Sequence, residues 1–179
     1  ALLILALAAF ASAACDDDNN RADGGGEFTL TIFHNNDGES KLVNAGDGIE
    51  DFGGVARFAA RLEALRGEAE AGEGKNVHIT LNSGDNFLAG PEFNASLQKG
   101  APYYDSIALN RIGYDAMAIG NHEFDFGPDV LEQFILSFDN PPPFVSANLV
   151  FTDEPGLNAL AEAGIIVTRT KITKDRERI

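Results

Sequence analysis

Segments of two kinds alternate along the chain. Short segments in which apolar residues alternate with polar ones or form compact runs predict four strands, which cover residues 28–34, 77–81, 115–119 and 144–150. Longer segments with apolar residues three and four positions apart predict three helices, which run from 53 to about 67–74, over 104–112 and from 128 onward. Because strand and helix alternate, the pattern indicates an α/β sheet that is covered on both faces.

Side chains that can bind metals or move protons follow the predicted strands. Asp37 comes after the first strand and Asp85 after the second. The run Gly-Asn-His-Glu-Phe-Asp over 120–125 directly follows the third, and Asn148 lies at the end of the fourth. In open α/β sheets, ligands bind where the carboxyl ends of the strands emerge. We therefore predict that these side chains, including Asn121 of the third loop, meet at one edge of the sheet.

These residue types suit the hydrolysis of a phosphate ester. That reaction needs a nucleophile at neutral pH and a means of neutralising charge on the phosphoryl oxygens, and divalent cations supply both. Carboxylate and amide oxygens such as those of Asp85 and Asn121 suit such ions, and a carboxylate can bridge two of them. His122 is then free to act on the leaving group, while Asp125, three residues on, can hold its imidazole in one tautomer.

Each of these residues also has an ordinary structural role. Asp37 beside Gly38 would by itself be a turn residue, and a lone His122 would be a surface histidine or a core histidine with satisfied hydrogen bonds. The occurrence of Gly-Asn-His-Glu after one strand and Gly-Asp after the preceding strand favours a metal-assisted hydrolase over these separate explanations.

The composition is that of one acidic domain. With 179 residues, 44% of them hydrophobic, the chain can bury one sizeable core. It carries 28 acidic against 13 basic residues, a net charge of -15. This charge argues against nucleic acid binding through a basic stripe and does not suit anionic lipid surfaces. It fits a protein whose bound cations attract an anionic substrate, although a solvated acidic surface explains it as well.

The amino-terminal quarter has a different character. Residues 1–14 are apolar or small with one exception and predict the remnant of a signal peptide. Because Ser-Ala-Ala before Cys15 loosely resembles a bacterial lipoprotein box, we expect export to the periplasm or cell surface, with membrane attachment only through a lipid on Cys15. Residues 15–26 are rich in Asp, Asn and Gly and predict a flexible tether. The folded part is then expected over 27–179, and a single cysteine allows no internal disulfide.

Five motifs in this order match a known family. They are Phe33-His34-Asn35-Asn36-Asp37, Gly53-Gly54-Val55-Ala56-Arg57, Ser83-Gly84-Asp85-Asn86-Phe87, Gly113-Tyr114-Asp115-Ala116 and Gly120-Asn121-His122-Glu123-Phe124-Asp125. Over residues 28–150 the chain resembles the amino-terminal catalytic domain of the bacterial 5'-nucleotidases, which are calcineurin-like metallophosphoesterases. The resemblance implies an α/β/β/α sandwich, two divalent metal ions, and hydrolysis of nucleotides or other small phosphoesters by a metal-bound hydroxide.

The resemblance also implies roles for residues at matching positions. Asp37 would bind the first metal ion, Asp85 would bridge both, and Asn121 would bind the second. Family members usually have histidine two residues after the first aspartate, where this chain has Glu39. Glu39 can still bind a metal ion, but its oxygen favours a harder one, so the choice among Mn, Zn, Mg, Fe and Ca stays open.

Three further residues take roles from the same resemblance. His122 and Asp125 would form the pair that stabilises the transition state and assists the leaving oxygen. Asn148, within Ser-Ala-Asn, would lie on the substrate side of the site.

One departure from the family pattern concerns histidine. The family completes its metal site with histidines well downstream of the Asn-His-Glu loop, and no histidine follows His122 here. A strand over 165–172, a turn over the charged residues 174–178 and the beginning of another strand are expected, and the given sequence ends there, at Ile179. We therefore expect an incomplete sandwich and weak or no two-metal catalysis by this chain alone.

Two other functions remain open at this point. The chain could be a surface-anchored, non-catalytic module that binds metal. It could also be another phosphoesterase on the same fold, such as a UDP-sugar hydrolase, a cyclic-nucleotide phosphodiesterase or an alkaline phosphatase. The oligomeric state is not indicated by the sequence.

Overall fold

Five parallel strands form one sheet in the computed structural model, which describes residues 28–71 and 74–169. The strands follow chain order across the sheet, and each pairs in parallel with the next. Their bounds are β1 Phe28–Asn35, β2 Lys75–Asn82, β3 Ala116–Ala118, β4 Phe144–Ser146 and β5 Ile166–Thr168. The predicted signal peptide, the tether and Cys15 lie outside the described residues. No helix within the described ranges is long and apolar enough to cross a membrane.

Within the described residues, five α-helices connect or follow these strands. They are α1 Val55–Glu70, α2 Pro91–Lys99, α3 Tyr104–Ile112, α4 Pro128–Leu136 and α5 Pro155–Ala163, and a 3-10 turn covers His122–Phe124. The three predicted helices are confirmed as α1, α3 and α4. The sequence analysis did not predict α2 and α5, although each begins with proline and is followed by glycine, Gly100 and Gly164 respectively.

All of the described helices that pack on the sheet lie on the same face of it. Parallel strands in chain order with right-handed connections place every connecting helix on one side. On that side Arg66 of α1 donates a hydrogen bond from Nη2 to Thr80 Oγ1 of β2 at 2.8 Å. Phe134 of α4 packs edge-on against Phe144 of β4 with 6.3 Å between ring centroids. The expectation of a sheet covered on both faces is therefore wrong for the described part of the chain.

The opposite face of the sheet carries apolar side chains that no described element covers. Phe28, Leu30 and Ile32 of β1 are 58, 43 and 40% exposed, and their neighbour Val77 of β2 is 36% exposed. One sheet with one layer of helices agrees with the predicted incomplete α/β/β/α sandwich.

The fourth strand is shorter than predicted. The sequence analysis expected a strand over 144–150, but β4 ends at Ser146. There the Ser146 hydroxyl accepts a hydrogen bond from the Leu149 backbone N–H at 3.3 Å, which closes a turn in place of continued strand pairing. This turn, and not a strand, therefore carries Asn148.

An aromatic cluster between the sheet and the helices also fixes one of the strand-end loops. Phe87, two residues after Asp85, is fully buried. Its ring stacks on Phe93 of α2 at 4.2 Å and meets Phe134 of α4 edge-on at 5.1 Å. Aromatic pairs of this kind add about 0.5–1.5 kcal/mol beyond the area that they bury. The loop that carries Asp85 is thus anchored directly in the hydrophobic core.

Candidate functional site

Three loops meet at the carboxyl edge of the sheet. We call them loop 1 (residues 36–40, after β1), loop 2 (83–87, after β2) and loop 3 (120–125, after β3). Loops 1 and 2 run side by side, and their hydrogen bonds join Asp37 N to Gly84 O at 3.2 Å and Glu39 N to Asp85 O at 3.0 Å. The structure therefore confirms that the first three loops meet at this edge of the sheet.

Three acidic residues of loops 1 and 2 have unusual backbone conformations. Asp37, Glu39 and Asp85 have φ angles of 52, 47 and 54°. Positive φ is uncommon for residues other than glycine and costs about 1–3 kcal/mol where the surroundings impose it. Such strain concentrates at functional sites, and here it falls on three of the residues that the sequence analysis selected as metal ligands.

Loop 2 and loop 3 are joined by Glu123, a carboxylate that is completely buried. Its Oε2 accepts hydrogen bonds from the backbone N–H groups of Asp85 at 3.0 Å and Gly120 at 2.7 Å. Its Oε1 accepts from the backbone N–H of Asn86 at 2.8 Å and from the Asn86 side-chain amide at 3.0 Å. One side chain thus fixes the relative position of both loops.

The sequence analysis gave Glu123 no role. Its place in the Gly-Asn-His-Glu run identifies the loop, but one residue in a turn has no periodicity that would tell whether it points inward. An acidic residue that directly follows a histidine in a strand-end loop is the only signal the sequence offered.

The backbones of loops 2 and 3 touch at two glycines. A Cβ added to Gly84, whose φ is +89°, would lie 2.6 Å from the Gly120 nitrogen, closer than real Cβ atoms come to backbone. A Cβ on Gly120 would in turn collide with the Asp85 carboxylate. Glycine at both positions is therefore a steric requirement of this loop contact.

His122 and Asp125 form a hydrogen-bonded pair in loop 3. The distance from His122 Nδ1 to Asp125 Oδ2 is 3.0 Å, and Asp125 Oδ2 also accepts from the Ala89 backbone N–H at 3.0 Å. The His122 side chain is 30% exposed and that of Asp125 is 23% exposed. The structure therefore confirms the contact between these two residues, whereas their catalytic role stays a prediction.

The surroundings shift the pKa of both partners. The hydrogen bond to Asp125 raises the pKa of His122 above its ordinary value, and the negative charges of Asp125, Asp85 and Glu39 add to this effect against partial desolvation. The backbone N–H of Ala89 and then the bond to His122 lower the pKa of Asp125. The pairing thus favours the charged form of each partner relative to the isolated side chain.

Loop 3 also contacts the proposed bridging ligand. The backbone N–H of His122 donates to Asp85 Oδ1 at 3.0 Å. Asn121 directly precedes His122 and has an exposed side chain. The backbone carbonyl oxygen of Asn121 accepts a hydrogen bond from the Phe124 backbone N–H at 3.1 Å.

Asn148 is less closely connected to the three loops. Its side chain is exposed, and its Oδ1 accepts a hydrogen bond from the Ser146 hydroxyl at 3.3 Å. Among the hydrogen bonds of the described residues, none joins Asn148 to loops 1 to 3.

The donor set suits divalent cations in chemistry but is not complete. Asp37, Glu39 and Asp85 offer carboxylate oxygens of the kind that hard divalent cations prefer, and Asn121 offers an amide oxygen. Within residues 28–71 and 74–169, however, no group of three or more His, Cys, Asp or Glu side chains is arranged to hold a metal ion. The assignment of these four residues as metal ligands stays a prediction.

Solved structures with similar folds define the class of protein. A calcineurin-like phosphoesterase, YfkN of Bacillus subtilis, matches 66% of this chain with a TM-score of 0.50 at 23% identity, which is evidence for the fold alone. The structure of a 5'-nucleotidase precursor from Thermus thermophilus matches 73% of this chain with a TM-score of 0.55 at 34% identity. The fold is thus that of the calcineurin-like phosphoesterases.

Sequence comparisons identify the family within that class. The trifunctional nucleotide phosphoesterase protein YfkN of Bacillus subtilis is 32% identical over 160 residues, which are 82% of this chain. A 5'-nucleotidase of Diplobatis ommata is 36% identical over 128 residues, or 68% of this chain. No family model matches the chain. The chain belongs to the 5'-nucleotidase family.

The relatives are much longer than this chain. The matched region spans 10% of the length of YfkN and 20% of that of the Diplobatis ommata nucleotidase. It spans 24% of the Thermus thermophilus structure.

Proposed function

We propose that the chain carries part of the active site of a metal-dependent phosphoester hydrolase that acts on nucleotides. The observation that carries this proposal is the His122–Asp125 pair, held beside Asp85 by the His122 backbone N–H at a sheet edge where two acidic loops also meet. The printed names of the relatives, which are nucleotidases and nucleotide phosphoesterases, support the substrate class.

In this proposal Asp37, Glu39, Asp85 and Asn121 contribute oxygen ligands to divalent metal ions. When bound, such ions neutralise charge on the phosphoryl oxygens and lower the pKa of water. Because the described residues form only part of a ligand shell, we expect this chain alone to bind metal weakly and to hydrolyse substrate slowly or not at all.

His122 would act as the general acid. The bond to Asp125 and the surrounding negative charge favour the protonated imidazole, and the Asp125 carboxylate, held by the Ala89 N–H, fixes the ring orientation. As a water oxygen bonds to phosphorus and the bond from phosphorus to the leaving oxygen breaks, the imidazolium would donate its proton to that oxygen, so that an alcohol leaves instead of an alkoxide and the attacking water releases a proton to solvent. The remaining imidazole regains a proton from solvent.

The proposal is tested by metal binding and phosphate release measured together. Titration of Mn²⁺ into the chain, followed by calorimetry, is expected to give weak binding that Asp85→Asn reduces at least tenfold. His78→Asn serves as a control, because His78 pairs with Glu70 and not with the three loops. Phosphate release from a 5'-nucleotide, if measurable, should fall in both Asp85→Asn and His122→Asn.

Two results would separate the alternatives. Metal binding that depends on Asp85 without any phosphate release would favour the non-catalytic metal-binding module. Metal binding that is unaffected by Asp85→Asn would contradict the proposed site itself.

We also propose that the protein is exported and carries a lipid on Cys15. This rests on the apolar residues 1–14 before that cysteine. Labelling of cells that express the gene with a radioactive fatty acid should mark the protein, and Cys15→Ala should abolish the label. A label that persists in Cys15→Ala would refute the anchor.

A further inference from the structure

A pocket lies between loop 1, the beginning of α1 and the helix α3. It encloses about 480 Å³ counted out to its open mouth. One part of its wall is apolar and consists of Leu42, Val55, Phe58, Leu109 and Ile112. The remainder is polar and contains residues that the proposed hydrolytic site does not use.

Five side-chain oxygens around this pocket are buried and have no hydrogen-bond partner. They are Asn35 Oδ1, Ser40 Oγ, Asn86 Oδ1, Asp105 Oδ1 and Tyr114 Oη. They account for five of the seven side-chain atoms of this kind among the described residues. Native interiors leave few such atoms, and each unpaired one costs about 1–3 kcal/mol. Because these atoms lie around one pocket, water or a ligand in that pocket would satisfy them.

Hydrogen bonds on the outer side of the pocket determine what these oxygens can do. The Asn86 amide nitrogen donates to Glu123 Oε1 at 3.0 Å, which fixes Asn86 Oδ1 as an acceptor towards the pocket. Asp105 Oδ2 accepts from the Ser96 hydroxyl at 2.7 Å, which leaves Oδ1 as the unpaired oxygen. Three acceptors face two hydroxyl donors, those of Ser40 and Tyr114, so the pocket favours a ligand that brings hydrogen-bond donors or positive charge.

The charge of Asp105 also favours a positively charged ligand. Its side chain is completely buried, and the ion pairs between described residues do not include it. Lys41, which also lines the pocket, pairs with Glu92 at 2.9 Å. Burial raises the pKa of Asp105, and the hydrogen bond from the Ser96 hydroxyl is the largest effect that opposes that shift. A buried carboxylate without a counter-charge is costly, so a cation in the pocket would stabilise its ionised form.

We propose that this pocket binds a small monovalent cation, with Asp105 as its counter-charge and the neutral oxygens of Asn35, Asn86 and Tyr114 around it. One carboxylate balances one positive charge, and oxygen ligands suit a hard cation. An alkali metal ion and the ammonium group of an amine share this chemistry. The proposed site borders the hydrolytic one, because Ser40 and Asn86 belong to loops 1 and 2, but it uses none of the proposed metal ligands.

The experiment follows thermal unfolding of the full chain at constant ionic strength. Tetramethylammonium chloride is the reference salt, because its cation has no N–H donors and is bulky, and EDTA removes divalent ions that loops 1 and 2 could bind. In separate titrations, sodium, potassium or methylammonium chloride replaces the tetramethylammonium chloride, while EDTA stays present. At a cation concentration ten times its Kd, the midpoint temperature of unfolding should rise by about 3–6 °C for a chain of this size. The cation that does so identifies the source of the charge.

Variants decide whether the pocket is responsible. Asp105→Asn should abolish the cation-dependent rise, whereas Asp153→Asn, at an exposed position, should keep it. Tyr114→Phe removes one oxygen without changing charge and should weaken the response severalfold, and it decides the matter if Asp105→Asn does not fold. Equal midpoints in all four salts, or an unchanged response in the variants that fold, would overturn the proposal in favour of a water-filled pocket.

Discussion

Replacement of Glu123 by glutamine tests whether one buried carboxylate holds the site loops together. Glutamine has the same shape, so the substitution leaves no cavity and changes only one oxygen to an amide group. Each Glu123 oxygen accepts two hydrogen bonds, Oε2 from the backbone of Asp85 and Gly120, and Oε1 from the backbone and side chain of Asn86. In either orientation the new amide group therefore faces two N–H donors and cannot accept from them.

The size of the effect follows from this count. Two hydrogen bonds to a charged acceptor are lost, at about 1.5–3 kcal/mol each, and the values do not add fully because the donors share one acceptor group. We expect the free energy of unfolding to fall by about 2–4 kcal/mol, a large part of the roughly 5–15 kcal/mol typical of a folded domain. Glu63→Gln, at an exposed position on α1, should change it by less than about 0.5 kcal/mol.

Urea unfolding followed by far-ultraviolet circular dichroism measures both variants. The midpoint of the transition and its slope give the free energy of unfolding, and an unchanged slope assigns the difference to the native state. A loss below about 1 kcal/mol for Glu123→Gln would refute the reasoning, because it would mean that the four hydrogen bonds are readily replaced.

Two further predictions concern the same loops. Gly84→Ala should destabilise the protein by at least about 2 kcal/mol, because its Cβ would meet the Gly120 backbone at positive φ, whereas Gly67→Ala, in an open position on α1, should stabilise it by about 0.5–1 kcal/mol. Equal effects in denaturant unfolding would contradict this. NMR titration should find the pKa of His122 above 6.5 and lower in Asp125→Asn. Because the folded pKa is the raised one, the stabilisation by the His122 charge is complete below 6.5 and is lost as pH rises through the folded pKa. The pKa of Asp125 is lowered from 3.8, so the stabilisation by its charged form is complete above that pH and is lost as pH falls through the folded pKa. A His122 pKa that Asp125→Asn leaves unchanged would contradict the pairing.

The helices that have strong local signals could be predicted from the sequence. The helix α3 was predicted with its observed bounds, since Gly113 follows its last residue and the apolar spacing is regular. The helices α2 and α5 were missed although α3 and α4 are equally short, because α2 has only two large apolar residues, Phe93 and Leu97, and α5 begins with a Pro-Gly pair that is typical of a turn. The local pattern indicated a sheet covered on both faces, because strand order is set by pairing between distant segments, which local patterns do not encode; only the family resemblance implied the incomplete sandwich.

The residues of the candidate site likewise include some that could be predicted from the sequence and one that could not. Asp37, Asp85 and His122 could be found from the sequence because motif and predicted strand end coincide. The role of Glu123 depends on which way its side chain points from a three-residue turn, and only the packed structure determines that.

The connection between core and site explains how strained loops persist here. Asp85 has a positive φ, yet Phe87 two residues later is fixed between Phe93 and Phe134, and Glu123 binds the backbone of Asp85 itself. Loop 2 is therefore held from both ends of its strained segment, once by apolar packing and once by a buried charge. Relaxation of Asp85 towards negative φ would weaken one of these anchors, and each contributes an amount comparable to or larger than the roughly 1–3 kcal/mol of strain. The same anchors that determine the fold at this edge thus determine where the Asp85 carboxylate meets the backbone of His122.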